Sequence, residues 1–126
     1  MSPLGRGFRA TLRDGLSRLP TPEGQRFVRL FAHGTLAVEV YAPRGSDPQQ
    51  PHDRDEVYVV ARGTGSFFCD GHRTPFGPDD FLFVPAGVEH RFEDFSDDLA
   101  VWVLFYGSKG GEAGTEAETV RGTASG

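Results

Sequence analysis

Between residues 25 and 107 the chain is a succession of short segments that alternate apolar and polar residues, each cut off by glycine or proline. QRFVRLFA runs up to His33-Gly34 and returns as TLAVEVYA. EVYVVARG leads into GSFFC, which turns at Asp70-Gly71 and returns as HRTPF; FLFVP, HRFEDF and LAVWVLFYG complete the series. Side chains on a strand alternate between faces, so each segment can bury one face and wet the other. Short strands at this spacing close into an antiparallel sandwich or barrel, giving an all-β fold. The 17 Gly, 9 Pro and 11 Phe agree with that, and 126 residues suit one domain.

The two ends read differently. Phe8, Leu12, Leu16 and Leu19 are spaced four, four and three apart, which predicts a short helix over residues 8–18. Gly15 weakens it and Pro20 stops it. From Gly107 onward six Gly occur, too little apolar surface to offset the chain entropy of ordering. The expected layout is an arm with a short helix over 1–24, a barrel over 25–107 and a flexible tail over 108–126.

The net charge is −5 and the pI about 5.3, which argues against nucleic acid as a partner. Residues 1–30 carry six Arg against Asp14 and Glu23, a balance of +4 that leaves −9 for the rest. That contrast suggests a basic arm lying on an acidic barrel, its own or a partner's. A single cysteine, Cys69, excludes an intrachain disulfide, and no residue beside it in sequence would lower its pKa. No apolar run is long enough to span a membrane. With no secretory apolar core at the N-terminus, a cytoplasmic location is expected.

Chemistry concentrates in QPHDRDE, residues 50 to 56, and FVPAGVEHRFED, residues 83 to 94. On a regular strand Gln50, His52, Glu56 and Tyr58 share one face, with Val57 and Val59 on the other. Pro51 and the DRD cluster suggest a loop or bulge before Glu56. An imidazole and a carboxylate facing a barrel interior need partners, and a divalent cation is the simplest. Pro85 and Gly87 form a turn that delivers His90 inward. Two imidazoles and one carboxylate match the facial triad that holds Fe(II), and they also suit Mn(II), Zn(II) or Ni(II).

These segments resemble the two signature motifs of the cupin superfamily. The first family motif is G-x5-H-x-H-x3,4-E-x6-G. His52, Glu56 and Gly63 match it, Gln50 takes the place of the first histidine, and the leading glycine is displaced to Gly45. The second is G-x5-P-x-G-x2-H-x3-N. Pro85, Gly87 and His90 match in register, while Asp79 and Asp94 replace its first glycine and final asparagine. The resemblance implies a double-stranded β-helix, or jelly roll, often dimeric, with one metal held by Gln50, His52, Glu56 and His90.

The expected function is that of a metal-binding cupin. An enzyme of dioxygenase or isomerase type would act on a small organic molecule, with Fe(II) or Mn(II) favoured. Glu56 or Tyr58 would move the proton. Arg54, Tyr58, Phe83, Phe92 and Trp102 are candidates for the substrate pocket, although Arg54 could equally pair with Asp53 or Asp55. The competing expectation is a non-catalytic small-molecule-binding or sensor cupin, for which the loss of one histidine is the argument. A homodimer is expected, with no nucleic-acid or membrane partner.

Overall fold

A computed structural model describes residues 6–113 and 117–120. Eight strands follow one helix: α1 (Leu12–Leu16), β1 (Phe27–His33), β2 (Leu36–Tyr41), β3 (Asp55–Arg62), β4 (Gly65–Cys69), β5 (His72–Phe76), β6 (Phe81–Val84), β7 (His90–Glu93) and β8 (Ala100–Tyr106). They form a five-stranded sheet in the order β1-β2-β8-β3-β6 and a three-stranded sheet in the order β5-β4-β7, every pairing antiparallel. This is the all-β fold read from the alternating segments, in the two-sheet jelly-roll form that the resemblance implied.

Register decides which side chains see the interior. Glu56, Tyr58 and Val60 on β3 lie opposite Phe105, Val103 and Val101 on β8, and this set faces inward. Val57 and Val59, opposite Leu104 and Trp102, face outward. The core is Tyr41, Tyr58, Val60, Phe67, Phe76, Val84, Phe92, Leu99, Val101 and Val103. Phe92 sits at its centre, with its ring 5.0 Å from Tyr58, 5.1 Å from Phe67 and 5.2 Å from Phe76. Such tilted and edge-on contacts contribute beyond the area they bury.

The helix is shorter than the predicted 8–18. Thr11 is its N-cap, and Thr11 and Asp14 form a reciprocal capping box that fixes the start at Leu12. Phe8 therefore lies outside it and stacks on Phe31 with ring centroids 4.7 Å apart. Gly15 presses onto the outer face of β2, where an added Cβ would stand 2.5 Å from Val40 Cγ2. The arm thus rests on its own barrel.

The tail expected from residue 108 falls partly outside the described residues, at 114–116 and 121–126. Its first part is tethered: the Gly110 N–H donates to the Asp53 carbonyl, and the Glu112 N–H donates to Asp55 Oδ2 at 3.0 Å. Among the described residues no helix is long and apolar enough to cross a membrane.

Candidate metal centre

Three segments meet at the inner end of β3. The loop before the strand carries His52, the strand carries Glu56, and the turn after β6 delivers His90 at the start of β7. The turn is possible because Gly87 adopts φ +80°, a conformation that strains residues with a Cβ. Two hydrogen bonds stitch the loops together. The Gly87 N–H donates to the His52 carbonyl at 2.7 Å, and the Ala86 N–H donates to Asp55 Oδ1 at 2.9 Å.

The ligand atoms of His52, Glu56 and His90 all lie within 4.8 Å of one another. Glu56 Oε1 is the common vertex, 3.1 Å from His90 Nε2 and 3.8 Å from His52 Nε2. Glu56 and His90 are both buried. His90 Nδ1 lies 2.9 Å from the Val88 carbonyl, to which it can only donate, so in the neutral ring Nε2 presents a lone pair. A carboxylate oxygen offers only lone pairs as well. Glu56 Oε1 and His90 Nε2 are accordingly the buried side-chain atoms left without a hydrogen-bond partner among the described residues. Two acceptors face each other in a dry place and need a cation between them. A proton is one candidate. Burial pulls the His90 pKa down, but Glu56, the Val88 carbonyl and Asp47 outweigh it and hold the imidazole above its ordinary value. A divalent metal is the other, and the nitrogen-nitrogen-oxygen donor set fits one.

The glutamine beside this cluster is Gln49. Its Oε1 lies 3.2 Å from His52 Nε2 and accepts from the Tyr58 hydroxyl at 2.8 Å, while its Nε2 donates to Asp47 Oδ2 at 2.8 Å. Asp47 can only accept, so it sets the orientation of the amide. The buried Asp47 carboxylate also accepts from the Phe92 N–H at 2.8 Å and from the Tyr41 hydroxyl. Gln50, the residue expected as a ligand, is exposed and has no side-chain hydrogen bond among the described residues. The spacing argument assumed strand geometry there, but β3 begins only at Asp55.

A cavity of about 580 Å³ opens over His52, Glu56 and Gln49. Phe27, Tyr41, Pro43, Val103 and Phe105 supply its apolar wall, and Glu39, Arg26 and Arg44 its remaining charges. None of Arg54, Tyr58, Phe83, Phe92 or Trp102 lines it. Arg54 donates to the Thr35 carbonyl and lies over the Phe105 ring at 5.7 Å. Phe83, 44% exposed, and Trp102 are on the outer face of the five-stranded sheet, because their strand partners Val57 and Val59 face outward. Tyr58 and Phe92 point inward but form the wall behind the cluster, with Tyr58 fully buried. Burial, followed by the Glu56 charge, raises the Tyr58 pKa well above the ordinary phenol, so the hydroxyl stays protonated. Cys69 is half-buried, and burial raises its pKa too, as befits a structural thiol.

A family model described as a cupin domain matches residues 37–106, more than half of the chain. The chain is a cupin. Its likeness extends to an uncharacterized protein of Streptomyces coelicolor, 33% identical over 81 residues that span 63% of this cupin and 77% of that protein. A shorter stretch of 62 residues is 29% identical to the HTH-type transcriptional activator RhaS of Mannheimia succiniciproducens, covering 49% of this cupin but 23% of the activator. Among solved structures, the Cupin 2 conserved barrel domain protein of Salinispora arenicola superposes with a TM-score of 0.60 at 21% identity, covering 80% of this cupin and 88% of that chain. At that identity the superposition speaks for the barrel alone.

Proposed function

We propose that this cupin is a metal-dependent enzyme acting on a small organic molecule, of dioxygenase or isomerase type, with a mononuclear divalent cation held by His52, Glu56 and His90. The observation that carries the proposal is the buried pair of facing acceptors, Glu56 Oε1 and His90 Nε2, with His52 Nε2 close by. Two imidazoles and a carboxylate favour Fe(II) or Mn(II), and Zn(II) or Ni(II) satisfy the same donors. A cation bound there supplies Lewis acidity toward substrate oxygens.

The protein's own residues do the rest. Gln49 presents its amide oxygen beside His52, held by Asp47 on one side and the Tyr58 hydroxyl on the other. Tyr58 therefore acts through Gln49 rather than on substrate directly. Glu56, which lines the cavity, would both hold the cation and exchange a proton with the ligand. The wall of Phe27, Val103 and Phe105 excludes water from one side of the ligand.

The test is elemental mass spectrometry on untagged protein, with His52→Ala and His90→Ala beside it. Near-stoichiometric divalent metal in the parent and its loss in both variants is the expected result. A parent that stays metal-free after anaerobic reconstitution overturns the proposal. The second reading, a ligand-binding sensor cupin without turnover, draws support from the partial likeness to a transcriptional activator. It predicts a bound small molecule recovered unchanged from metal-loaded protein.

A further inference from the structure

Arg26 and Arg44 line the cavity over the candidate metal centre. Each is positioned by backbone rather than by an acid. Arg26 Nε donates to the Ala42 carbonyl at 2.8 Å, and Arg44 NH1 donates to the carbonyls of Pro43 at 2.8 Å and Leu99 at 3.0 Å. Among the described residues neither guanidinium is paired with a carboxylate, whereas Arg29, Arg73 and Arg91 all are. The two are anchored on adjacent backbone carbonyls, Arg26 on Ala42 and Arg44 on Pro43. Partial burial and then the Arg44 charge pull the Arg26 pKa down. Like charges gathered at the wall of a cavity, with most of their N–H groups uncommitted, repel until an anion sits between them. The one carboxylate lining the cavity besides Glu56 is Glu39, which belongs to Arg29 at 3.7 Å. The rest of the wall is largely Phe27, Tyr41, Val103 and Phe105, which suits an apolar body and not a bare inorganic ion.

We infer that the ligand of this cavity is an organic carboxylate with an apolar body, its carboxylate held by Arg26 and Arg44. This rests on the reading of the cavity as the substrate site, and it names the class of molecule that enters. It also moves anion recognition away from Arg54, whose guanidinium is committed to Thr35.

The test is calorimetric titration with 4-phenylbutyrate, 4-phenylbutyramide and inorganic phosphate as probes, on wild type, His52→Ala and the double variant Arg26→Gln/Arg44→Gln. The carboxylate should bind wild type about 10-fold or more tighter than the amide, and phosphate should bind more weakly than either. The double variant should lose about 10- to 100-fold in carboxylate affinity, the range for hydrogen bonds to a charged group. His52→Ala should keep the preference for carboxylate over amide. That separates this inference from the metal reading, since a metal-free parent that still prefers the carboxylate leaves it standing. Equal binding of carboxylate and amide overturns it, as does absence of any carboxylate binding. A preference lost in His52→Ala but kept in the double variant also overturns it, because the carboxylate would then be a metal ligand. Tighter binding of phosphate does the same. Should the double variant fail to fold, Arg44→Gln alone and the loss of wild-type preference with rising salt decide the question, since an Arg-held anion weakens in both.

Discussion

Asp47 Oδ2 accepts from Gln49 Nε2 at 2.8 Å, and this one bond turns the Gln49 carbonyl oxygen toward His52 and Tyr58. Asp47 touches no candidate ligand itself, yet it sets what the nearest one meets. Asp47→Ala would remove the acceptor that holds the Gln49 amide, and Gln49 would be free to flip. Metal affinity should fall by about 10- to 100-fold, the usual effect of losing an outer hydrogen-bond partner. Competition with a chromophoric chelator measures it, and unchanged affinity would show that Gln49 orientation is irrelevant to the metal.

Restoring a histidine separates the two glutamines. Gln49→His should strengthen metal retention during dialysis against chelator, because its side chain already borders the cluster. Gln50→His should have no effect, since that side chain is exposed. The reverse outcome would mean that the loop before β3 adopts a different conformation once metal is bound.

Glu39 supplies a pH signature. Burial holds its carboxyl above the ordinary value, against the opposing pull of Arg29 and with a smaller push from Glu56. A folded pKa above the unfolded one means the folded state binds the proton more tightly. The stability contribution is then full below the unfolded pKa and is lost as pH rises through the folded pKa. Glu39→Gln removes that loss. Thermal midpoints recorded against pH should show the variant gaining on wild type as pH climbs through this window and holding a constant lead above it. A variant less stable at neutral pH would mean that the Arg29 pair outweighs burial.

Gly15 tests the seat of the arm. Gly15→Ala places a methyl 2.5 Å from Val40 Cγ2 and should destabilise the fold by about 1–3 kcal/mol in urea titration, the usual cost of overpacking. Val40→Ala in the same chain should recover part of the loss. Strict additivity of the two changes would show that the helix does not press on β2.

The barrel was legible because its strands alternate over most of their length, and Gly63, Gly71 and Gly87, all at positive φ, mark turns visible as letters. His52, Glu56 and His90 were legible because motif spacing survives whatever the loop does between them. Gln49 was not. Parity tells faces apart only on a strand, and residues 47–54 are outside any strand. Trp102 and Phe83 were misplaced for the opposite reason: parity applied, but sequence alone does not say which parity of β8 or β6 faces in until their pairing with β3 is known. Arg26 and Arg44, 18 positions apart, become neighbours only through the closure of β1 and β2 onto the loop that follows, and no spacing rule brings them together.

Asp55 accepts from Ala86 in the His90 turn through one carboxylate oxygen and from Glu112 through the other. It directly precedes Glu56 in the chain. The stretch following β8 is thus wired, through a single side chain, to two of the three residues of the metal cluster. A version trimmed at residue 107 to obtain better crystals would leave that carboxylate half-satisfied. Its metal affinity would then describe the trimmed chain and not the whole one.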